Sequence, residues 1–329
     1  MEATPYQYYR FGPARLASRL PLQVLPTEAH NDGPAELVLD ARPVRNQPAQ
    51  VTAWHHHWPA RDGSITLSLA AEGDGYRLRF PGLCDFLIDN DADALVAEPM
   101  ASVDPHTLEH LVVDQLLPRV LAHRGALVAH ASVVRVQDRA IAFLGHSGWG
   151  KSTLAGLLHG AGHSLLSDDC ALLQPTAGRI TVVPTYPSLR MFGDSISQTL
   201  CHATATTPVA AYSPKQRLMV TLAPAQAGGA HCPLQAIYLL NDPAEPASDH
   251  RITPLAPALA CMALVEHSFR LDLASTTHTT ALLRQAAEVL RQVPAFALHY
   301  PRDYSGNLRL RDTVLTHLAS LPPAYAHLA

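Results

Sequence analysis

The chain has 329 residues, 47% of them hydrophobic, with 28 Asp and Glu against 24 Lys and Arg for a formal charge of -4. That length and apolar content suit two globular domains, each with its own core, and the absence of a basic field argues against nucleic acid or an anionic membrane surface as a partner. No run reaches the roughly 18 apolar residues of a membrane span, and Glu2 with Tyr6-Gln7-Tyr8-Tyr9-Arg10 leaves no apolar signal core, so a cytoplasmic protein is expected. The cysteines Cys84, Cys170, Cys201, Cys232 and Cys261 are scattered without a C-x-x-C pair and read as reduced thiols.

Before residue 100, short runs such as Ser64 to Leu69 and Tyr76 to Phe80 are separated by Asp-Gly and Gly-Asp-Gly punctuation, which predicts antiparallel strands. His55-His56-His57 lies among them. Consecutive side chains point to different sides of a strand or a helix, so no single face gathers the three for a metal. A β-rich N-terminal domain is therefore expected over residues 1–103. From residue 104 to 329 the pattern is that of an α/β nucleotide-binding core. Leu108 to Leu121 reads as a helix, and His130, within Gly125 to Val134, stands at the end of an apolar run that reads as a strand feeding the core.

Ala140 to Leu144 then reads as a buried strand that ends at Gly145-His146-Ser147-Gly148-Trp149-Gly150-Lys151-Ser152-Thr153, and apolar positions at helical spacing follow. This is the G-x-x-x-x-G-K-[ST] phosphate-binding pattern in its strand–loop–helix context. The glycines let backbone N–H groups turn toward a polyphosphate, Lys151 supplies a point charge, and Ser152 offers a hydroxyl to Mg²⁺. ATP with Mg²⁺ is the implied ligand.

Ser164 to Ser167 ends at Asp168-Asp169. At the carboxyl edge of an open sheet, two adjacent carboxylates would face the terminal phosphate, one holding metal and the other handling a proton. Strands are expected at Arg179 to Pro184, Leu234 to Leu240 and Ala295 to Tyr300, and helices at Pro257 to Ser268, Thr279 to Gln292 and Leu310 to Leu321. Thr204 to Gly229, rich in Ala, Pro and Gly, reads as loops, with Lys215 and Arg217 in them as surface or phosphate-contacting cations. The apolar stripe of Thr280 to Val293 suits packing on the sheet or a homo-oligomer face.

His130, the loop Gly145 to Ser152 and Leu166-Ser167-Asp168-Asp169, in this order and at these intervals, resemble the catalytic core of HPr kinase/phosphorylase and of the HPr-kinase-related serine kinases. The resemblance covers about residues 108 to 190. Phe11-Gly12 and Tyr186-Pro187-Ser188-Leu189-Arg190 are similar to the related kinases, which include ones that phosphorylate the C-terminal serine of a lasso-peptide precursor. The resemblance implies an α/β P-loop fold related to phosphoenolpyruvate carboxykinase and a serine kinase acting on a peptide or small protein. In that family pattern Asp168 takes the serine proton with His130 beside it, Lys151 contacts the β- and γ-phosphates, and Ser152 and Asp169 hold the divalent ion. Arg190 is placed by position alone as a cation neutralising the moving phosphoryl group. Thr153 stands where the HPr enzyme usually has Glu, and the glycine-rich signature of its reverse reaction is not recognisable, which points away from phosphorolysis; the N-terminal part does not resemble that enzyme's N-terminal domain, which points away from HPr as substrate.

Two other classes fit a phosphate loop: a nucleotide-driven switch or transport ATPase, and a non-catalytic nucleotide-binding scaffold. The short interval from Lys151 to Asp168 leaves no room for a transporter signature, and a scaffold would be expected to have lost Lys151, Ser152 or the carboxylates.

Overall fold

Short alternating runs joined by tight turns build the first part of the chain. The computed structural model describes all residues except 1–3, 31, 61, 187, 201–204, 221–230, 246 and 323–329, so Glu2, Pro187 and Cys201 lie outside the described residues. Strands β1 (Gln7–Phe11), β2 (Ala14–Ser18), β3 (Thr27–Glu28), β4 (Leu37–Ala41), β5 (His56–Pro59), β6 (Ile65–Glu72), β7 (Gly75–Phe80), β8 (Cys84–Ile88) and β9 (Ala94–Pro99) form one sheet in the order β3-β1-β2-β4-β9-β8-β7-β6-β5. The turn Gly73-Asp74 joins β6 to β7, and Gly73 has φ +58, a left-handed conformation that glycine adopts without strain. The sheet is not wholly antiparallel as expected, because β4 pairs in parallel with both β2 and β9. Within it Arg77, 4% exposed, meets Glu72, Asp85 and Glu98 at 2.8 Å each. The two buried carboxylates have further cations, Arg79 on Asp85 and Arg42 and Arg45 on Glu98, so Arg77 is one member of a charge network.

The predicted single helix at Leu108 to Leu121 is three pieces: α1 (Pro105–His110), a π-helical stretch over Leu111–Leu116, and α2 (Leu117–His123). Pro118 supplies no N–H and its ring crowds the preceding turn, which accounts for a widened segment there. Asp104 caps α1 by accepting from the Thr107 N–H.

Two compact units divide the chain: Met1–Gly125 with Pro208–Pro214 and Arg270–Thr279, and Ala126–Thr207 with Lys215–Phe269 and Thr280–Ala329. The second holds a mixed sheet built from β10 (Leu127–Ala129), β11 (Ala131–Val136), β12 (Arg139–Leu144), β13 (Ser164–Ser167), β14 (Ala171–Thr176), β15 (Arg179–Val183), β19 (Cys232–Leu240), β20 (Arg251–Pro254) and β21 (Ala295–His299). Strands β12, β19 and β21 run parallel. Strand β11 lies antiparallel between β12 and β13, so β13 shares the direction of β12 without touching it.

The carboxyl ends of β12, β13, β19 and β21 therefore meet at one edge, where β11 begins. Two apolar clusters lie in this unit, one containing Phe143, Leu154, Leu158 and Tyr238, the other Ala131, Leu166, Ile237 and Ala286. Helix α3 (Lys151–Gly160) contributes Leu154 and Leu158 to the first. The segment expected as loops holds two strands, β17 (Thr206–Ala210) and β18 (Ser213–Met219). Strand β18 pairs with β16 (Ser188–Met191), and its polar run Lys215-Gln216-Arg217 masks the alternation that would have marked it. Thr204 and residues 221–229 of that segment lie outside the described residues. The remaining helices are α4 (Gly193–Thr199), α5 (Pro257–Glu266), α6 (Thr276–Gln292) and α7 (Asn307–Ser320). No described helix is long and apolar enough to cross a membrane. Cys84, Cys170, Cys232 and Cys261 are free thiols.

Candidate nucleotide and phosphoryl-transfer site

The loop from Gly145 to Gly150 leaves the end of β12 and turns directly into α3. Gly148 and Gly150 have φ +85 and +93. An added Cβ at Gly150 would lie 2.6 Å from the Tyr300 hydroxyl and 3.0 Å from Arg302 Nη1, so those two side-chain ends would have to shift. Those two groups both donate to the Trp149 carbonyl and so pin the loop from the end of β21. No side chain caps the first turn of α3, leaving its N–H groups for an anion. Lys151 Nζ, buried, donates to the Gly145 carbonyl at 2.8 Å and the His146 carbonyl at 3.3 Å. Burial lowers its pKa from the ordinary lysine value.

Asp168 is 1% exposed at the end of β13. Its Oδ1 accepts from the Ser132 hydroxyl and, at 2.9 Å, from the Ser152 hydroxyl; its Oδ2 accepts from the Arg190 backbone N–H at 2.8 Å. Burial, reinforced by the adjacent Asp169 charge, pushes its pKa upward. Asp169 adopts φ +62, which turns its side chain away from that of Asp168. It meets His130 Nε2 at 3.0 Å and Arg190 Nη2 at 2.7 Å. Burial would raise Asp169, but Arg190, His130 and Lys151 together hold it well below the usual carboxylate range. His130 is in turn lowered by burial and by Lys151, and its backbone N–H is anchored on the His267 carbonyl at 2.6 Å.

One expected pairing is thereby corrected: His130 partners Asp169 and not Asp168. Ser152 shares its hydroxyl with Asp168. The left-handed backbone at Asp169 is the reason, since it sends consecutive side chains to different neighbours. His130 directly follows the last residue of β10, at a strand end as expected.

A cavity of about 350 Å³ adjoins these groups and is lined by Gly148, Gly150, Lys151, Ser152, Thr153, Asp169 and Arg190. Its further wall holds Met191, Phe192, Ser195, Lys215, Tyr300, Arg302 and Tyr304. Lys215 Nζ sits 5.6 Å from the Phe192 ring centre, on a strand where a loop was expected. Ser195 links Thr153 at 3.4 Å to Tyr304 at 2.9 Å. Sequence reasoning missed Ser132, Ser195, Tyr300, Arg302 and Tyr304; the one available signal was the polar cluster Tyr300 to Tyr304 after an apolar strand. His146, Ser147 and Trp149 lie in the loop, with the His146 and Trp149 rings 4.8 Å apart. In the N-terminal sheet, His57 Nδ1 bonds the Ser68 hydroxyl at 2.8 Å while the His56 ring meets Trp58 edge-on.

No family model matches this chain, and no curated protein matches it. Among solved structures the chain is similar to the HPr(Ser) kinase/phosphatase from Coxiella burnetii, with 12% identity and a TM-score of 0.30 over 58% of this chain and 95% of that one. At that score the likeness carries no functional weight.

Proposed function

We propose that the chain is a Mg²⁺- and ATP-dependent kinase that phosphorylates a serine of a peptide or small protein. The supporting observation is the convergence at one sheet edge of an uncapped phosphate loop, the Ser152–Asp168 oxygen pair and the Asp169–His130–Arg190 cluster. Ser152 and Asp168 offer hard oxygen ligands that suit Mg²⁺. Bound ATP would supply the transferable phosphoryl group, its charge partly neutralised by the ion.

The N–H groups opening α3 and Lys151 hold the phosphates. Asp169, facing the cavity, accepts the proton of the acceptor hydroxyl while His130 Nε2 orients it. Arg190 and Lys151 depress Asp169; once drawn to phosphate oxygens, they leave it a better base. A loose phosphoryl-transfer transition state asks for alignment and charge stabilisation more than for a strong base.

The test is incubation of the full chain with MgATP and serine-ended peptides, read by phosphopeptide mass. Phosphopeptide formation that needs both Mg²⁺ and ATP is the expected result. ATP hydrolysis without transfer would instead favour a nucleotide-driven switch, and absence of ATP binding would end the reading.

A further inference from the structure

His146 is the second residue of the phosphate loop, and its side chain turns away from the cavity. Its Nε2 lies 3.2 Å from Glu266 Oε1, and its ring meets that of His267 edge-on at 4.8 Å. One ligand atom from each of these three residues lies within 4.8 Å of the other two, and among the described residues they are the group of His, Cys, Asp or Glu that comes this close. We propose that His146, Glu266 and His267 form a zinc site that ties the phosphate loop to the end of α5.

The chemistry fits that ion. Two imidazoles and one carboxylate make a ligand set that zinc takes, and three protein ligands leave a fourth position for water. Ligands about 2.0–2.1 Å from a tetrahedral ion lie about 3.3 Å apart, so the His146–Glu266 pair already has the required spacing. The third ligand stands on a fixed backbone: the His267 side chain is buried, the residue's backbone N–H donates to the Ala263 carbonyl at 3.0 Å, and its backbone carbonyl accepts from the His130 N–H. Glu266 and His146, 58% and 48% exposed, are free to close on an ion arriving from solvent. Zinc bridging them would fix His146, whose carbonyl also receives Lys151 Nζ, and would thereby stiffen the loop without any nucleotide.

The experiment uses the full chain stripped of metal, with zinc alone as probe in competition with a chromogenic chelator. Glu266→Gln and His146→Gln are the variants, because both positions are exposed enough for the fold to survive, which circular dichroism verifies. The wild-type chain should take up one equivalent, each variant should bind at least about tenfold more weakly, the range usual for damage to a metal site, and zinc should slow amide exchange over residues 145–150 in the wild type alone. The proposal is overturned if the wild type takes up no stoichiometric zinc, or if both variants retain its affinity, since that zinc would then sit on other histidines. Unchanged exchange in the loop would refute the tie between zinc and the phosphate loop. None of these readings requires ATP, so they stand or fall apart from the proposed kinase activity.

Discussion

Adjacent aspartates with opposite environments give the sharpest residue-level expectations. Asp169→Asn keeps the shape but cannot accept a proton, so transfer should fall by about 100-fold or more while ATP binding survives. Asp168→Asn removes the charge beside Ser152 and should raise the Mg²⁺ concentration needed for half-maximal rate. Phosphopeptide mass spectrometry across a Mg²⁺ titration separates them; if excess Mg²⁺ rescues Asp169→Asn but not Asp168→Asn, the assignment must be exchanged. Lys151→Ala deletes the cation nearest the α3 terminus, and loss of a charge-assisted bond of about 1.5–3 kcal/mol should weaken ATP roughly tenfold or more. Calorimetry that finds unchanged affinity in a folded variant would move the nucleotide elsewhere. Which carboxylate faced His130 was hidden from sequence, because periodicity places both at a strand end and only the left-handed φ of Asp169 decides between them.

Among the elements, the junction of β12, its loop and α3 depends on Gly150 for two separate reasons, its φ of +93 and the Tyr300 hydroxyl beside it. Gly150→Ala should cost about 1–3 kcal/mol of stability from the backbone alone and should weaken ATP binding by displacing Tyr300 and Arg302. Denaturant unfolding together with ATP titration reads both effects; a variant normal in each would mean that β21 does not hold the loop. Strand β12, the loop and α3 were legible because an apolar run, a glycine pattern and a helical stripe follow one another in sequence. Strand β18 was not, because its polar residues are placed by pairing with β16 and by burial of Arg217.

Across the whole molecule, His123, His163 and His317 are each lowered in pKa, first by burial and then, for His123 and His163, by the neighbouring His278 and Arg311. A histidine depressed on folding binds its proton more readily in the unfolded chain. The unfolded state therefore gains protons first as pH falls through about 6.5, and these groups withdraw stability below that pH. His317 sits against the Tyr238 hydroxyl at 2.9 Å, and His317→Gln should flatten the loss of stability between pH 7.5 and 5.5, measured by thermal unfolding. An unchanged slope would mean that this histidine titrates alike in both states. Sequence by itself determined the α/β character and the strand, glycine loop and helix from Ala140 to α3, because each rests on contiguous residues whose spacing encodes local geometry. Only the tertiary structure decided that Asp168 joins Ser152 and Ser132, that Asp169 joins His130 and Arg190, and that Tyr300 and Arg302 pin the loop. Those contacts bring together the ends of strands far apart in sequence, and strand order and direction in the sheet are set by packing of the whole core.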